Sequence, residues 1–434
     1  FVQGDLFGET YNLESNKENL NNSKSTYQRI ESSEELKLLV EKMMNQEIIA
    51  FDTETEGLNA LETDIVGISF SWQKGKGYYL PIKNNKSVHE KFFEILKPFF
   101  ESDKIIKVGH NLKFDIQVLH KYNVKVSSPL YDTMVAHYLI NPDMRHNLDT
   151  LSKSYLNYSP ISIESLIGKK GKNQISMRDV SIDKITDYAS EDADITLQLK
   201  GIFDKEIEIN NLSKIFYDIE IPMINVLSQM EAEGIKIDTS YLKKLDKEFE
   251  DDLEKLKKEI FKKCGEEFNL NSPKQLGEIL FDKLKLVSKP KKTKTGQYST
   301  SEEVLSSLAN DHKIIENILE WRSLDKLQNT YVKSLPNEVS RLTNRVHSSF
   351  NQTVTTTGRL SSNNPNLQNI PIRTSNGQKI RKAFIPRNND YILMAADYSQ
   401  IELRVIASLS NEENMIDAFI KNQDIHTMTA SKIY

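Results

Sequence analysis

The pattern of apolar and polar positions divides the chain into a first part that predicts strands and helices in turn and a second part that predicts mostly helices. Three stretches rich in β-branched and aromatic residues predict strands: Glu47–Thr53, Ile65–Trp72 and Gly77–Leu80. The next segments predict a helix, a strand and a helix: Val88–Phe99, Ile105–Val108 and Leu112–His120. We therefore expect an α/β sheet domain whose helical second half ends near Leu199.

Capping signals mark the ends of several of the predicted helices. Ser32 and Glu35 have capping-box spacing for a helix that extends to Met44, and Thr300 with Glu303 has the same spacing. In the middle of the chain, apolar residues recur at helical spacing in two segments: Ile219–Glu233, which Gly234 ends, and Tyr241–Cys264. This middle part is therefore expected to be helical.

Composition limits the class of protein. A length of 434 residues suits two or three domains, and a hydrophobic content of 38% is enough for real cores. The single cysteine, Cys264, excludes a disulfide framework and suits a reducing cytoplasm. No apolar run approaches membrane-spanning length. A formal net charge of -5 does not indicate nucleic-acid binding, although a basic groove is compatible with such a total. Residues 1–25, rich in Asn, Ser, Lys and Glu, predict a disordered linker.

Carboxylates recur where strands and helices meet. In FDTETEGL, Asp52 and Glu54 are two apart on a strand, so both side chains leave the same face. Two adjacent carboxylates repel each other unless a cation lies between them, but a solvated strand edge explains the pair equally well. Asp115 lies on a helix after a strand, and Tyr188 and Asp192 lie on one helical face.

A further carboxylate, Asp397, follows the apolar run Tyr391–Ala396, which predicts a strand, and precedes a predicted helix, Gln400–Leu409. A carboxylate at a strand tip is exposed to a cleft and could hold Mg²⁺, which takes one or two protein carboxylates together with substrate oxygens. The alternative for an isolated Asp at this place is a helix cap.

These strings together resemble the family A DNA polymerases of bacteria. DYSQIELR, preceded by TTTGRLSSNNPNLQNIP, resembles the polymerase palm, and FDTETEGL, GHNLKFDIQVL and YASEDADITLQL resemble the three motifs of the proofreading 3'-5' exonucleases. The resemblance implies an α/β exonuclease domain with a ribonuclease H-like mixed sheet and flanking helices, followed by a partial α+β polymerase domain. The implied divisions are 1–25 linker, 26–205 exonuclease, 206–340 helical thumb, and 341–434 partial palm with the start of the fingers.

The resemblance also implies roles for the carboxylates. Asp52 would bridge two metal ions, Glu54 and Asp192 would complete one site, Asp115 would support the other, and Tyr188 would orient the attacking water. Two divalent ions suit phosphodiester hydrolysis because they stabilise the attacking and the leaving oxygen.

Three further residues lie near these motifs. Asp194 lies outside the matched positions and is interpreted as a charge on the helix surface. His110 and Asn111 would line the same cleft, with His110 more simply explained as an uninvolved, hydrogen-bonded residue.

In the palm, the resemblance implies that Asp397 and the backbone carbonyl of Tyr398 hold Mg²⁺. Glu402 would crowd the sugar 2' position, and His426 would contact the incoming triphosphate or, alternatively, only begin a helix. Arg359 would reach the minor groove at the primer terminus. Further DNA contacts are implied for Asn366, Gln368, Asn369 and Arg373. Phosphate contacts are implied for Lys291, Lys292 and Lys294, for which a solvated loop is an equally simple explanation.

The resemblance implies template-directed DNA synthesis with 3'-5' proofreading, using Mg²⁺ with Mn²⁺ as the alternative. The implied partners are primer-template DNA, a single-stranded DNA 3' end and deoxynucleoside triphosphates, for a monomer in the bacterial cytoplasm at the nucleoid and away from membranes.

The chain stops at Tyr434, before the fingers helix and the second metal-binding Asp of the palm. Exonuclease hydrolysis is therefore the activity expected of these residues alone. Two alternatives are a stand-alone DEDD-type exonuclease, which would lack the palm strings, and a catalytically silent DNA-binding protein, which would have lost one of the four carboxylates.

Overall fold

The computed structural model describes residues 18–20, 24–83 and 86–433. The chain divides into two compact units, Phe1–Phe384 and Ile385–Tyr434. The predicted disordered linker, 1–25, falls for the most part outside the described residues; within it, the carbonyl of Glu18 accepts a hydrogen bond from the Ser159 N–H at 2.8 Å. In the described part of the chain, no helix has the length and apolar character needed to span a membrane.

A six-stranded mixed sheet forms the centre of the first half of the larger unit, and it confirms the predicted α/β class. Its strands are β1 (Thr26–Arg29), β2 (Ile48–Thr55), β3 (Ile65–Gln73), β4 (Lys76–Pro81), β5 (Ile106–Gly109) and β6 (Leu130–Asp132). The spatial order is β1-β4-β3-β2-β5-β6, in which β3 is antiparallel to both β2 and β4 and the other pairs are parallel. The three predicted strands in this region are therefore confirmed.

Helices flank the sheet on both faces. They are α1 (Ser33–Met43), α2 (Lys86–Phe100), α3 (Leu112–Lys121), α4 (Thr133–Ile140), α5 (Leu148–Leu151), α6 (Ile163–Ile167) and α7 (Ile182–Ile209). The predicted capping box of α1 is confirmed, because the Ser32 hydroxyl accepts the Glu35 N–H at 3.2 Å and the Glu35 carboxylate accepts the Ser32 N–H at 3.3 Å. The predicted end near Leu199 is wrong: α7 continues to Ile209 because Phe203 and Ile207 extend its buried stripe.

The two faces of the sheet have different chemistry because side chains alternate along each strand. Phe51 on β2 packs edge-on against Phe99 and Phe100 of α2, with ring centroids 6.3 and 5.3 Å apart. Asp52 follows Phe51 and therefore points to the opposite face, which α7 covers. A Cβ added at Gly77 of β4 would lie 2.6 Å from the Ser190 Cβ of α7, so the helix approaches the sheet as closely as a glycine permits.

The second half of the larger unit is mainly helical, as predicted. Its elements are α8 (Ser213–Ile215), α9 (Ile221–Glu233), β7 (Lys236–Ile237), α10 (Thr239–Cys264), α11 (Pro273–Gly277), α12 (Glu302–Ser306), α13 (Lys313–Leu327), β8 (Ser349–Asn351), β9 (Ser361–Asn363) and α14 (Ser375–Arg381). Gly234 ends α9 with φ 64°, as predicted. The predicted cap at Thr300 is wrong: Ser301 is the N-cap of α12, and Thr300 accepts two hydrogen bonds from Arg322 instead.

The smaller unit contains three helices in its described part: α15 (Ile401–Ser410), α16 (Glu413–Ile420) and α17 (Ile425–Ile433). A short strand, β10 (Phe384–Ile385), lies at the boundary of the units. The helix predicted from Gln400 is confirmed. The strand predicted at Tyr391–Ala396 is wrong, because this run pairs with no other strand in the described residues, and Ile392 and Met394 remain 87% and 85% exposed.

Candidate active site: a buried group of carboxylates

The sheet and α7 bring three predicted carboxylates together. Asp52 and Glu54 leave the α7 side of β2, which lies inside the sheet, and Asp192 comes from α7 itself. Each offers an oxygen that lies within 4.8 Å of the oxygens of the other two. Three carboxylates at this spacing form the kind of all-oxygen group that holds a hard divalent cation.

Asp115, the fourth predicted carboxylate, is held beside this group by Thr53. Its Oδ1 accepts a hydrogen bond from the Thr53 N–H at 3.1 Å and another from the Thr53 hydroxyl at 2.5 Å. Asp115 is not part of the three-carboxylate group, but its charge helps raise the pKa of Glu54. Sequence analysis missed Thr53, although its position between two carboxylates on the strand was visible.

Asp132, also missed, fixes the helix that carries Asp115. Its carboxylate accepts hydrogen bonds from the N–H groups of Leu112 at 2.7 Å and Asn111 at 3.3 Å, at the start of α3. It also caps α4. One carboxylate thus joins the N-termini of two helices, where the helix dipoles favour negative charge. The signal in the sequence was an Asp directly before a helical pattern.

The carboxylates are strongly perturbed because they lie close together with little access to water: Glu54 and Asp115 are buried, and Asp52 and Asp192 are half-buried. Burial raises the pKa of Asp52 to about 7. Burial and the charge of Asp52 raise the pKa values of Glu54, Asp115 and Asp192 well above their ordinary range. The group therefore has a high cost when ionised in the absence of a cation, and a bound cation would remove that cost.

Two further details fit a cation. In the described part of the chain, the buried Oε1 of Glu54 has no hydrogen-bond partner, so this oxygen is available to a metal ion. Tyr188 lies one turn before Asp192 on α7, and burial followed by the charge of Asp192 raises the pKa of its hydroxyl. The hydroxyl therefore remains a neutral donor beside the group.

The expectation that Asp194 is a surface charge is wrong. Its side chain is 2% exposed and accepts hydrogen bonds from the Gly75 N–H at 3.0 Å, the Gln198 amide at 3.0 Å and the Tyr27 hydroxyl at 3.1 Å. The loop between β3 and β4 covers this side of α7, so a residue that the helix alone would leave exposed becomes an internal acceptor.

His110 and Asn111 lie where β5 leads into α3. His110 Nδ1 and the Thr133 hydroxyl form a hydrogen bond of 3.0 Å, and burial lowers the pKa of His110 to about 4. The imidazole is therefore neutral at physiological pH. Asn111 borders a cleft of about 530 Å³, together with Lys113 and Phe114.

The candidate polymerase residues are exposed. In the larger unit these are Arg359, Asn366, Gln368, Asn369, Arg373, Lys291, Lys292 and Lys294. In the smaller unit they are Asp397, Tyr398, Glu402 and His426. Within the described residues, Asp397 belongs to no group of three potential metal ligands, in contrast to Asp52.

Comparison with known proteins identifies both halves. The family model described as 3'-5' exonuclease matches residues 27–208, and the model of DNA polymerase family A matches residues 239–434. DNA polymerase I of Borreliella burgdorferi is 42% identical over 411 residues, which cover 94% of this chain and 44% of that protein. DNA polymerase I of Pseudomonas aeruginosa is 40% identical over 406 residues, which cover 91% of this chain and 44% of that protein.

A solved structure is also similar: the POL domain of Pol1 from M. smegmatis in complex with DNA primer-template and dNTP. It has a TM-score of 0.79 and 30% sequence identity, and the match covers 93% of this chain and 66% of that one. The chain spans less than half the length of the curated relatives it matches.

Proposed function

We propose that this chain, which belongs to DNA polymerase family A and carries a 3'-5' exonuclease domain, removes nucleotides from the 3' end of DNA at the buried carboxylates. The observation that carries the proposal is the group formed by Asp52, Glu54 and Asp192, whose oxygens lie within 4.8 Å of one another on the α7 side of the sheet. Such a group is costly unless it binds cations, and bound cations stabilise the attacking and leaving oxygens in phosphodiester hydrolysis.

Asp52, Glu54, Asp115 and Asp192 would hold two Mg²⁺ ions, with Mn²⁺ as the alternative. The bound ions would supply positive charge to the attacking and leaving oxygens of the phosphodiester. Thr53 orients Asp115 for this role through its two hydrogen bonds.

Tyr188 would orient the attacking water, since it lies one helical turn before Asp192 on α7 and the nearby carboxylates help raise the pKa of its hydroxyl. Its raised pKa keeps the hydroxyl protonated at the pH of the reaction, so that it can donate a hydrogen bond.

For the polymerase half, we propose that Asp397 and the Tyr398 carbonyl bind Mg²⁺, that Glu402 selects deoxynucleotides and that His426 contacts the triphosphate. Arg359 would meet the primer terminus in the minor groove. The other exposed candidates would bind template and primer: Asn366, Gln368, Asn369, Arg373, Lys291, Lys292 and Lys294. Exposure supports this proposal, because groups that grip DNA must be free of the core.

The whole protein would then join template-directed synthesis to proofreading during DNA replication and repair. Its partners would be primer-template DNA, a single-stranded 3' end and deoxynucleoside triphosphates. The protein would act in the bacterial cytoplasm at the nucleoid. The exonuclease part would extend over 26–205, the thumb over 206–340 and the palm with the start of the fingers over 341–434.

The test uses a polypeptide of these 434 residues with a 5'-labelled primer on a longer template, Mg²⁺ and all four deoxynucleotides. We expect stepwise shortening that stops in a chelator and is abolished by Asp52→Ala, a loss of at least about 1,000-fold. The control is Asp143→Ala, which removes an exposed carboxylate and should leave the rate unchanged. Shortening that persists in Asp52→Ala would exclude the proposed site.

A further inference from the structure

Tyr138 of α4 contacts the backbone of residues 350–359, the segment that carries Arg359. Its hydroxyl donates a hydrogen bond to the Thr355 carbonyl at 2.6 Å and accepts one from the Gly358 N–H at 3.2 Å. Tyr138 is 4% exposed, so the contact is shielded from water. A buried side chain of the exonuclease half thus closes the turn directly before Arg359.

Contacts within the turn itself also hold this segment in place. The Thr355 hydroxyl donates a hydrogen bond to the Arg359 carbonyl at 2.6 Å, and Gly358 adopts the left-handed conformation with φ 76° that glycine tolerates. Because Thr355 contacts both Tyr138 and Arg359, the position of the arginine backbone depends on the tyrosine hydroxyl.

The same segment is also fixed where it begins. Phe350 on β8 donates its N–H to Glu231 of α9 at 2.6 Å and accepts a hydrogen bond on its carbonyl from Lys113 of α3. Lys113 also forms an ion pair with Glu231 at 2.5 Å. Two helices of the exonuclease half, α3 and α4, therefore hold one polymerase segment at two points.

We propose that Tyr138 is a positioning residue for primer-template binding, which sets the turn 355–358 so that Arg359 can meet duplex DNA. The inference rests on the proposed function in one respect, the assignment of Arg359 to the primer terminus. It adds that the exonuclease half helps to build the duplex-binding surface and that the Tyr138 hydroxyl is one of the groups through which it does so.

Removing the hydroxyl has a predictable cost. Tyr138→Phe keeps the buried ring and removes both hydrogen bonds to the turn, the one to the Thr355 carbonyl and the one from the Gly358 N–H. The turn then samples other conformations, and duplex DNA must bind the competent fraction alone. We expect the affinity for a fully paired primer-template to fall about three- to tenfold.

The experiment measures three quantities for the polypeptide and its variants: equilibrium binding of paired primer-template in Ca²⁺ without hydrolysis, hydrolysis of single-stranded DNA in Mg²⁺, and the urea midpoint of unfolding. The matched control is Tyr155→Phe, which removes a hydroxyl bonded to His137 at 3.1 Å and does not contact the turn. Tyr138→Phe should weaken duplex binding about three- to tenfold, whereas Tyr155→Phe changes it less than about twofold. Both should hydrolyse single-stranded DNA at the parent rate.

A double-mutant cycle separates positioning from general loss of stability. If Tyr138 acts through Arg359, Tyr138→Phe has little further effect on duplex binding in an Arg359→Ala background. Equal duplex binding by Tyr138→Phe and Tyr155→Phe, or additive effects in the cycle, would overturn the inference. Failure of the parent chain to shorten single-stranded DNA would instead count against the proposed exonuclease, while the binding measurements still decide the role of Tyr138.

Discussion

At the scale of single residues, two aspartates on one helix serve opposite purposes. Asp192 and Asp194 are two apart on α7; Asp192 is half-buried and Asp194 is buried. Asp192 lies near Asp52 and Glu54. Burial is the largest cause of its raised pKa, and the charges of Asp52 and Glu54 raise it further. Asp194 faces the Gly75 N–H, the Gln198 amide and the Tyr27 hydroxyl, which all donate to it. The first carboxylate is suited to a cation, and the second already has its partners.

This difference predicts opposite effects of the same substitution on the metal-free protein. In a chelator at pH 8, Asp192→Ala should raise the free energy of unfolding by about 1–2 kcal/mol, because it removes a repelled, buried charge. Asp194→Ala should lower it by about 2–3 kcal/mol, because it leaves three donors without an acceptor. Urea unfolding measures both, and a loss of stability in both variants would contradict the assignment of Asp192.

The pH dependence provides the control. The folded-state pKa of Asp192 is raised, so its destabilising effect is complete above that pKa and disappears below the unfolded-state value of about 3.9. The gain from Asp192→Ala should therefore shrink as the pH falls from 8 toward 4. Added Mg²⁺ should stabilise the parent protein at pH 8 and should stabilise Asp192→Ala less.

At the scale of elements, local patterns predicted the fold where neighbours in sequence determine it. The apolar and polar alternation of β2 placed Asp52 and Glu54 on one face, and the capping box placed the start of α1. The strand predicted at Tyr391–Ala396 was wrong because a strand requires a partner, and an apolar run does not reveal one. The cap predicted at Thr300 was wrong because a hydroxyl also suits other donors, here Arg322.

The candidate site was predictable to a similar extent. The spacing of Tyr188 and Asp192 put both on one face of α7, where the charge of Asp192 helps raise the pKa of Tyr188. Thr53 and Asp132 were not predicted, since their contacts cross from one element to another and leave only weak local signals. The prediction that Asp194 is a surface charge was wrong for the same reason, because a loop distant in sequence covers it.

The position of α7 on the sheet predicts the effect of one added methyl group. A Cβ at Gly77 would lie 2.6 Å from the Ser190 Cβ and 2.8 Å from the Ser190 carbonyl oxygen, so Gly77→Ala must displace α7. We expect a loss of about 2–3 kcal/mol in stability and a fall of at least about tenfold in exonuclease kcat, because Asp192 moves from Asp52.

Gly201→Ala is the matched control on the same helix. Nothing lies within 4 Å of a Cβ there, and alanine favours a helix, so stability should rise by about 0.5–1 kcal/mol with kcat unchanged. Urea unfolding and hydrolysis of single-stranded DNA measure both variants. Parent-like activity in Gly77→Ala would mean that α7 does not depend on this close approach.

At the scale of the larger unit, a buried ion pair joins the two halves of residues 18–384. Lys113 of α3 and Glu231 of α9 have side chains 13% and 5% exposed, and their closest atoms are 2.5 Å apart. Gln117 of α3 also donates to Glu231, at 2.6 Å, as does the Phe350 N–H. Such a pair has a small net effect when intact but a large one when broken, because the remaining charge stays buried.

Lys113→Met should therefore destabilise the protein by about 3 kcal/mol, because Glu231 retains its charge without a counter-ion. Lys113→Met combined with Glu231→Gln should recover more than half of that loss, since the amide oxygen still accepts from the Phe350 N–H and no charge remains buried.

Urea unfolding followed by a fluorophore in each half would give one coincident transition in the parent and double variant. Separated transitions in Lys113→Met alone would show that this pair makes the two halves unfold together. Equal stability of the single and double variants would mean that the Glu231 charge is satisfied by its hydrogen bonds alone.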